Sequence, residues 1–295
     1  MRNFEKINRA FTAKKKIFTL FVALTAMMMT AKAEIEFAYD AGAEVVSSYI
    51  WRGMYNGGLS FQPNATIGFN ALEEQIQFRI GAWGSVGASD WKFRFNQPLD
   101  ADGSNPNTYF IPEVDLTASF QFFGLTLGAT HYYYFGGTPF FSKLEDDGGS
   151  QTEVQIGYHF GNLTPVHVYF NWYTMVAGND AWYDAEDNAH RAWSSYIELG
   201  YQFEFPFDIT LDLQLGMTPW KSLYTNYEGK FAVNNISARI GKTWNVGDVC
   251  DIELFALGSI NTYKINKHNC FIWEAGDYKL YQQRINGTIG LGFWF

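Results

Sequence analysis

The chain has 295 residues, 47% hydrophobic and 19% aromatic, with 28 Gly and a formal charge of −9. So acidic a chain is excluded as a nucleic-acid binder, since phosphates would repel it, and abundant aromatics with Gly favour β structure over a helix bundle. After residue 33 no apolar run reaches 18 residues, which excludes a helical membrane protein but leaves a periplasmic β protein and a membrane β-barrel.

Residues 1–33 read as a secretory leader. "MRNFEKINRAFTAKKK" is basic, "IFTLFVALTAMMM" is apolar, and Ala31 and Ala33 place small residues before the expected cleavage point. The apolar run is shorter than the roughly 20 residues that span a bilayer as a helix. The leader holds seven of the 21 basic residues and one of the 30 acids. Residues 34–295 therefore keep 14 against 29, a net charge of −15, and are expected to form a single domain.

That domain alternates. In "LSFQPNATIGFNA" (59–71), Leu59, Phe61, Pro63, Ala65, Ile67, Phe69 and Ala71 fall on one face, with Ser, Gln, Asn, Thr and Gly on the other. A helix would scatter those apolar residues around its surface, whereas a strand collects them. The same pattern predicts strands near 42–53, 59–71, 75–86, 110–122, 124–135, 151–161, 166–177, 192–205, 207–217, 231–243, 250–261 and 284–295. Asn234 and Asn235 break the alternation and mark a candidate bulge. Connections alternate between short (72–74, 123, 162–165, 206, 244–249) and long (87–109, 136–150, 178–191, 218–230, 262–283), with 54–58 the brief exception on the long side.

The expected fold is therefore all-β: a transmembrane up-and-down antiparallel β-barrel of about twelve strands, with lipid covering the apolar face and closure satisfying the backbone. A soluble sandwich or lipocalin-like fold is the alternative. The C-terminal "RINGTIGLGFWF" alternates to a final Phe, like the sorting signal read by the outer-membrane assembly machinery. Aromatics near strand ends form two expected girdles. Phe122, Phe160, Phe203, Phe205, Trp244 and Phe295 lie at the periplasmic end; Tyr49, Trp51, Tyr133, Phe135 and Trp193 lie at the outer end.

"SSYIWRGMYNGG" (47–58), "FQPNATIGFN" (61–70) and "GAWGSV" (81–86) resemble the start of the TorF-type porin family, which opens on an aromatic–Arg–Gly strand end, a Pro/Gln strand and a Gly-x-Trp-x-Ser segment. The matching positions are Trp51, Arg52, Gly53, Gln62, Pro63, Gly81, Trp83 and Ser85. The chain departs from the family where "MYNGG" replaces a clear polar segment between the first two strands. The resemblance implies a small outer-membrane porin and carries over no substrate and no binding residue.

Parity on the strands turns a set of charges inward. Arg52, Arg79, Arg239 and Arg284 fall on lumen positions of neighbouring strands across the seam, whereas Glu113, Asp115, Glu153, Glu198 and Asp212 fall on the strands opposite. These nine are the candidate pore-lining residues. A basic wall facing an acidic one would set a transverse field and a selectivity, although Glu44 and Glu253 interrupt the segregation. The same charges would instead plug a narrow barrel by pairing.

Other chemistry is sparse. No G-x-S-x-G, H-E-x-x-H or nucleotide loop occurs, and no enzyme, cofactor or metal site is expected. His131 and Ser195 fall on the lipid-side parity but three strands apart, too far for a hydrolase dyad. His159 and His167 form a candidate pH-sensitive pair. The acidic loops 143–151 and 178–188 fit no EF-hand. Cys250 and Cys270 are expected at opposite ends of a strand, beyond disulfide reach. The expected function is passive diffusion of small hydrophilic solutes through the outer membrane of a Gram-negative bacterium. The expected partners are outer-membrane lipid and lipopolysaccharide, the barrel-assembly machinery and the solutes themselves. The alternatives are a lipid- or lipopolysaccharide-modifying enzyme and a closed structural or adhesive barrel.

Overall fold

The structure, a computed structural model, describes residues 34–87, 112–135, 139–146, 149–162, 164–227, 231–247, 249–263, 271–275, 278–282 and 284–295. The expected leader, Cys270 and nearly all of the 87–109 loop lie outside the described residues.

The strands in chain order are β1 Glu36–Val46, β2 Tyr49–Trp51, β3 Met54–Gly57, β4 Ser60–Ala71, β5 Ile76–Gly87, β6 Glu113–Phe122, β7 Leu125–Tyr134, β8 Ser150–His159, β9 Val168–Gly178, β10 Ala181–Tyr183, β11 Ala189–Arg191, β12 Ser195–Phe205, β13 Ile209–Thr218, β14 Ala232–Val246, β15 Cys250–Ile260, β16 Phe271–Ala275, β17 Tyr278–Gln282 and β18 Ile285–Trp294. Twelve of them close into one barrel in the order β1-β18-β15-β14-β13-β12-β9-β8-β7-β6-β5-β4. β4 returns to β1 with Glu36 opposite Asn70 and Val46 opposite Ser60, and β18 pairs β1 with Val46 opposite Gly290. The pairs along the barrel are antiparallel and the ladder runs round to its start, so the sheet has no open edge strand.

The barrel is apolar outside and polar inside. On β4, Phe61, Ile67 and Phe69 are exposed, while Ser60, Gln62 and Asn70 are buried. β15 and β18 repeat this, with Leu254, Ile260, Ile285 and Ile289 outside and Glu253, Ser259, Asn286 and Thr288 inside. In water such a surface would be aggregation-prone; in hydrocarbon it is the solvated face. This is a transmembrane outer-membrane-type barrel. At the end where both termini lie, the expected periplasmic end, the turns are tight. Phe123 and Gly124 take φ of 47° and 83°, which fits the two-residue primed turn whose twist matches the flanking strands. Phe160, Phe205, Trp244 and Phe295 are exposed near that rim, as a girdle requires. The register shift on β13 between Gly216 and Met217 falls opposite Asn235 and Val233, at the expected bulge.

Two expectations need correction at the first outer connection. The first barrel strand ends at Val46, not near 53, and residues 49–57 form a separate hairpin, β2–β3. Ser47 and Ser48 make the break: the Ser47 N–H donates to the Ile289 carbonyl (2.9 Å) and the Ser48 N–H to Thr288 Oγ1 (3.0 Å). Beyond that bend the chain turns into the lumen. Tyr49 and Trp51 go with it, so they are not girdle residues. Tyr49 packs on Trp83 and Trp51 on Tyr132. The other expected members, Tyr133, Phe135 and exposed Trp193, remain in the outer belt, where Phe140 and Phe141 join them around His131.

Candidate functional site

The site is built from a two-residue turn. Arg52 and Gly53 join β2 to β3 with φ of 50° and 80°. Gly is required at the second position twice over, because a Cβ there would lie 2.8 Å from Asn235 Oδ1 and its φ is left-handed. The turn is seated on the wall by side-chain amides. Asn286 Nδ2 donates to the Gly53 carbonyl (2.9 Å). Asn235 is fixed by donating to Tyr196 Oη (3.0 Å) and Gln214 Oε1 (2.9 Å), and by accepting from Ser259 Oγ (2.8 Å). The hairpin tip thus spans from the seam to β14.

From this tip the Arg52 guanidinium crosses to Glu153 on β8. Nη1 and Nη2 donate to Oε2 and Oε1 at 2.6 and 2.7 Å, a bidentate pair with side chains only 8% and 3% exposed. Tyr132 Oη also donates to Glu153 (2.9 Å), and Arg52 Nη1 donates to Tyr224 Oη. Four rings surround the guanidinium carbon: Tyr173 at 4.1 Å from the centroid, Trp51 at 4.7 Å, Tyr196 at 4.9 Å and Tyr224 at 5.7 Å. Delocalised charge, planar fork and aromatic faces suit one another.

Tyr224 arrives from a second in-folded loop. A 3-10 turn, Leu223–Thr225, is held by the Leu223 N–H donating to Ser194 Oγ (2.8 Å), which in turn donates to Asp180 Oδ1 (2.5 Å). Burial pushes the Asp180 carboxyl up, against the pull of the Ser194 hydrogen bonds. Met54, Tyr132, Met175, Tyr196, Leu223 and Tyr224 pack as a buried cluster inside the outer half of the barrel. A buried hydrophobic core therefore sits in the lumen.

Below it the lining is wetter. Arg239 makes a bidentate pair with Glu253 (2.7 and 2.8 Å), lies 3.7 Å from Glu44 and stacks on Phe255 at 4.0 Å, with 30% of its side chain exposed. Asn171 Nδ2 donates to Glu198 (3.1 Å) and Tyr169 Oη to Asp212 (2.9 Å). Toward the periplasmic mouth a cavity of about 350 Å³ is lined by Gln121, Thr126, His159, Tyr169, Asn171 and Gln202.

The nine sequence-selected residues are dispersed among these layers. Arg52 and Glu153 meet as the caged pair. Arg239 pairs with Glu253 and Glu44, the two acids set aside as interruptions. Glu113 is buried at the outer end of β6, hydrogen-bonded with Tyr49, Tyr134 and Asp115. Glu198 and Asp212 lie in the middle layer. Arg79 has no ion pair among the described residues and donates to the Phe69 and Phe78 carbonyls (3.1 Å each) near the periplasmic end. Arg284 is exposed just before β18. The two imagined walls are thus cross-linked through Arg52 and Glu153. What the sequence reading missed is the aromatic cage. The available signal was Tyr132, Tyr173 and Tyr196 on lumen parity, large rings where small polar residues were expected.

The remaining candidates stay apart. His131 bonds Thr152 Oγ1 and the Phe140 carbonyl (2.9 Å each), while Ser195 is fully buried against Thr174 Oγ1 (2.8 Å). His159 and His167 are 6.4 Å apart between ring centroids, with His159 stacked on Tyr169. Among the described residues no three metal-ligating side chains converge.

No family model and no curated protein matches the chain. Solved structures similar to it include Salmonella typhi OmpF in complex with daunomycin (10% identity, 88% of this chain and 97% of that one, TM-score 0.34). The Acinetobacter baumannii outer-membrane channel DcaP is similar at 10% identity over 90% and 98% of the chains, with TM-score 0.36. An anion-selective porin from Comamonas acidovorans is similar at 7% identity over 89% and 99%, with TM-score 0.33. Scores this low tie the chain to none of these proteins; its fold stands on its own closed strand ladder.

Proposed function

We propose that the chain is an outer-membrane porin of the TorF type. It admits small hydrophilic solutes by passive diffusion through a charged lumen, after export and removal of residues 1–33. The observation that carries this reading is the series of inward ionisable groups at successive depths, Glu113 and Glu153 beside the buried cluster of the outer half, then Glu198, Asp212 and Arg239 below it, inside an apolar belt. A barrel serving only as an anchor has no need of ionisable groups at every depth. Selectivity follows from that lining. The in-folded hairpin makes the outer half the bottleneck.

The test is conductance of the refolded barrel in planar bilayers. Step currents are expected, rising severalfold when residues 49–57 are replaced by a short Gly-Ser link. Arg79→Gln with Arg239→Gln shifts the reversal potential toward cations. The buried Arg52–Glu153 plug favours a second reading, a closed structural barrel. Silence at all voltages in both the intact and the hairpin-replaced protein selects that reading and overturns the first. A lipid-modifying enzyme finds less support, since His131 and Ser195 each bond to other partners.

A further inference from the structure

The cage around Arg52 is divided between the barrel wall and two in-folded segments. Glu153, Tyr132, Tyr173 and Tyr196 belong to β8, β7, β9 and β12, four consecutive strands of the barrel wall. Trp51 and Arg52 belong to a hairpin hung from the wall at Ser47–Ser48, and Tyr224 belongs to a loop. The wall alone therefore holds a preformed receptor: one buried carboxylate presenting both oxygens in the plane of a guanidinium, a phenol hydroxyl bracing it, and two ring faces at 4.1 and 4.9 Å.

Such a receptor is selective by construction. With the hairpin seated Glu153 is 2% exposed, so taking away the Arg52 side chain alone would leave an uncompensated buried charge, which a protein tolerates poorly. A planar fork satisfies both oxygens at once and stacks on the tyrosines, whereas an ammonium is a compact, strongly hydrated point charge that does neither as well. A neutral urea-like group has the fork without the charge.

We infer that this cage is a recognition site for small solutes carrying a guanidinium group, and that the chain's own Arg52 occupies it as an internal ligand while the lumen is plugged. Release of the hairpin opens the bottleneck and vacates the receptor together, so an incoming guanidinium solute competes with the plug for the same carboxylate. The inference rests on the channel reading for how the solute arrives and leaves; binding itself does not depend on it.

The experiment uses Arg52→Gly, because glycine tolerates the φ of 50° at that position. The refolded variant is titrated calorimetrically in detergent with methylguanidinium, methylammonium and L-citrulline. A saturable isotherm is expected with methylguanidinium, about tenfold weaker with methylammonium and absent with L-citrulline. It should vanish in Arg52→Gly/Glu153→Gln. No saturable binding to the folded single variant, or binding indifferent to Glu153→Gln, overturns the inference. Where the single variant does not refold alone, refolding with methylguanidinium present is the same test. Recovery of the heat-modifiable barrel with that ion and not with methylammonium supports the site, and recovery with neither overturns it. In bilayers the intact protein should gain conductance with L-arginine but not with L-citrulline. A barrel that binds yet never conducts sinks the channel reading and keeps the site; one that conducts without binding does the reverse.

Discussion

The outer and inner halves of the lumen share one wall and are filled in opposite ways. The outer half holds a dry core of Met54, Tyr132, Met175, Tyr196, Leu223 and Tyr224 around a sealed ion pair. The inner half holds the Arg239–Glu253 pair, with 30% of the arginine side chain exposed, hydrogen-bonded amides and a cavity. The strands do not cause the difference, since the same alternation runs along their whole length. What hangs from their ends does. A two-residue turn such as Phe123–Gly124 cannot reach into the barrel, whereas the outer connections between β1 and β4 and between β13 and β14 can. In a twelve-stranded barrel the wall sets the available width, and the loops set how much of it is used.

Glu153→Ala tests this contrast most severely. It strands the Arg52 guanidinium in an aromatic cage closed to water, at a cost of about 3–5 kcal/mol. The expected result is a large drop in the temperature at which the heat-modifiable folded band is lost. It should come with a conductance rise, because the hairpin loses its anchor. An effect no larger than that of removing Glu253 would mean that the outer half is not a sealed core.

Gly53→Ala should come next. It leaves every charge in place but adds a Cβ at a φ of 80° and 2.8 Å from Asn235 Oδ1. Backbone strain of this kind costs about 1–3 kcal/mol. The hairpin should seat less well, seen as faster opening events in single-channel records with the barrel otherwise intact. Unchanged gating would place the seat elsewhere than at Asn235 and Asn286.

Most of the wall was legible in the sequence and most of the plug was not. The strand expected at 124–135 is β7 Leu125–Tyr134, and that expected at 59–71 is β4 Ser60–Ala71. Lipid outside and water inside write a period of two along the chain. That signal fails at "SSYIWRGMYNGG". The alternation runs on through Tyr49 and Trp51 although the backbone has left the barrel, because a hairpin lying in the lumen also has two unlike faces. Arg52–Gly53 resembled a strand end when it was a turn. The loop carrying Tyr224 has no periodicity at all. Its inward fold depends on Asp180 and Ser194 from another connection, a contact between segments distant in sequence. Pairing partners were likewise hidden: parity says that Arg239 and Glu253 face inward, but not that a lateral register brings them into contact.

Glu253→Ala sharpens the contrast from the inner side. Arg239 would keep Glu44 at 3.7 Å, the face of Phe255 and access to water through its 30% exposed side chain. The cation keeps a second carboxylate and a route to water, so the unfolding temperature should fall by less than in Glu153→Ala. The reversal potential should shift toward anions, since one fixed negative charge leaves the wetter part of the route. A loss matching that of Glu153→Ala would show the inner half to be as dry as the outer.

The smallest effect is expected outside the lumen altogether, at the hairpin β10–β11. There the His190 ring, 2.8 Å from Oδ2, and the N–H groups of Asn188 and Glu186 hold the Asp184 carboxyl well below the usual carboxylate range. The sign follows from linkage. An acid whose folded value is depressed stabilises the hairpin above its ordinary value of about 3.9 and loses that contribution as pH falls from there toward the depressed one. Asp180, a few residues back, is raised by burial instead, so its contribution has the opposite sign and grows as pH falls. Between neutrality and pH ~4, amide-exchange protection across 181–191, corrected for intrinsic rates, should therefore hold steady in the intact protein. In Asp184→Asn, protection should be lower already at neutral pH, with the caged pair undisturbed. Equal protection in the two proteins would mean that the hairpin is held by its strand pairing and the stacking of Trp182 on His190, and that the carboxylate adds nothing.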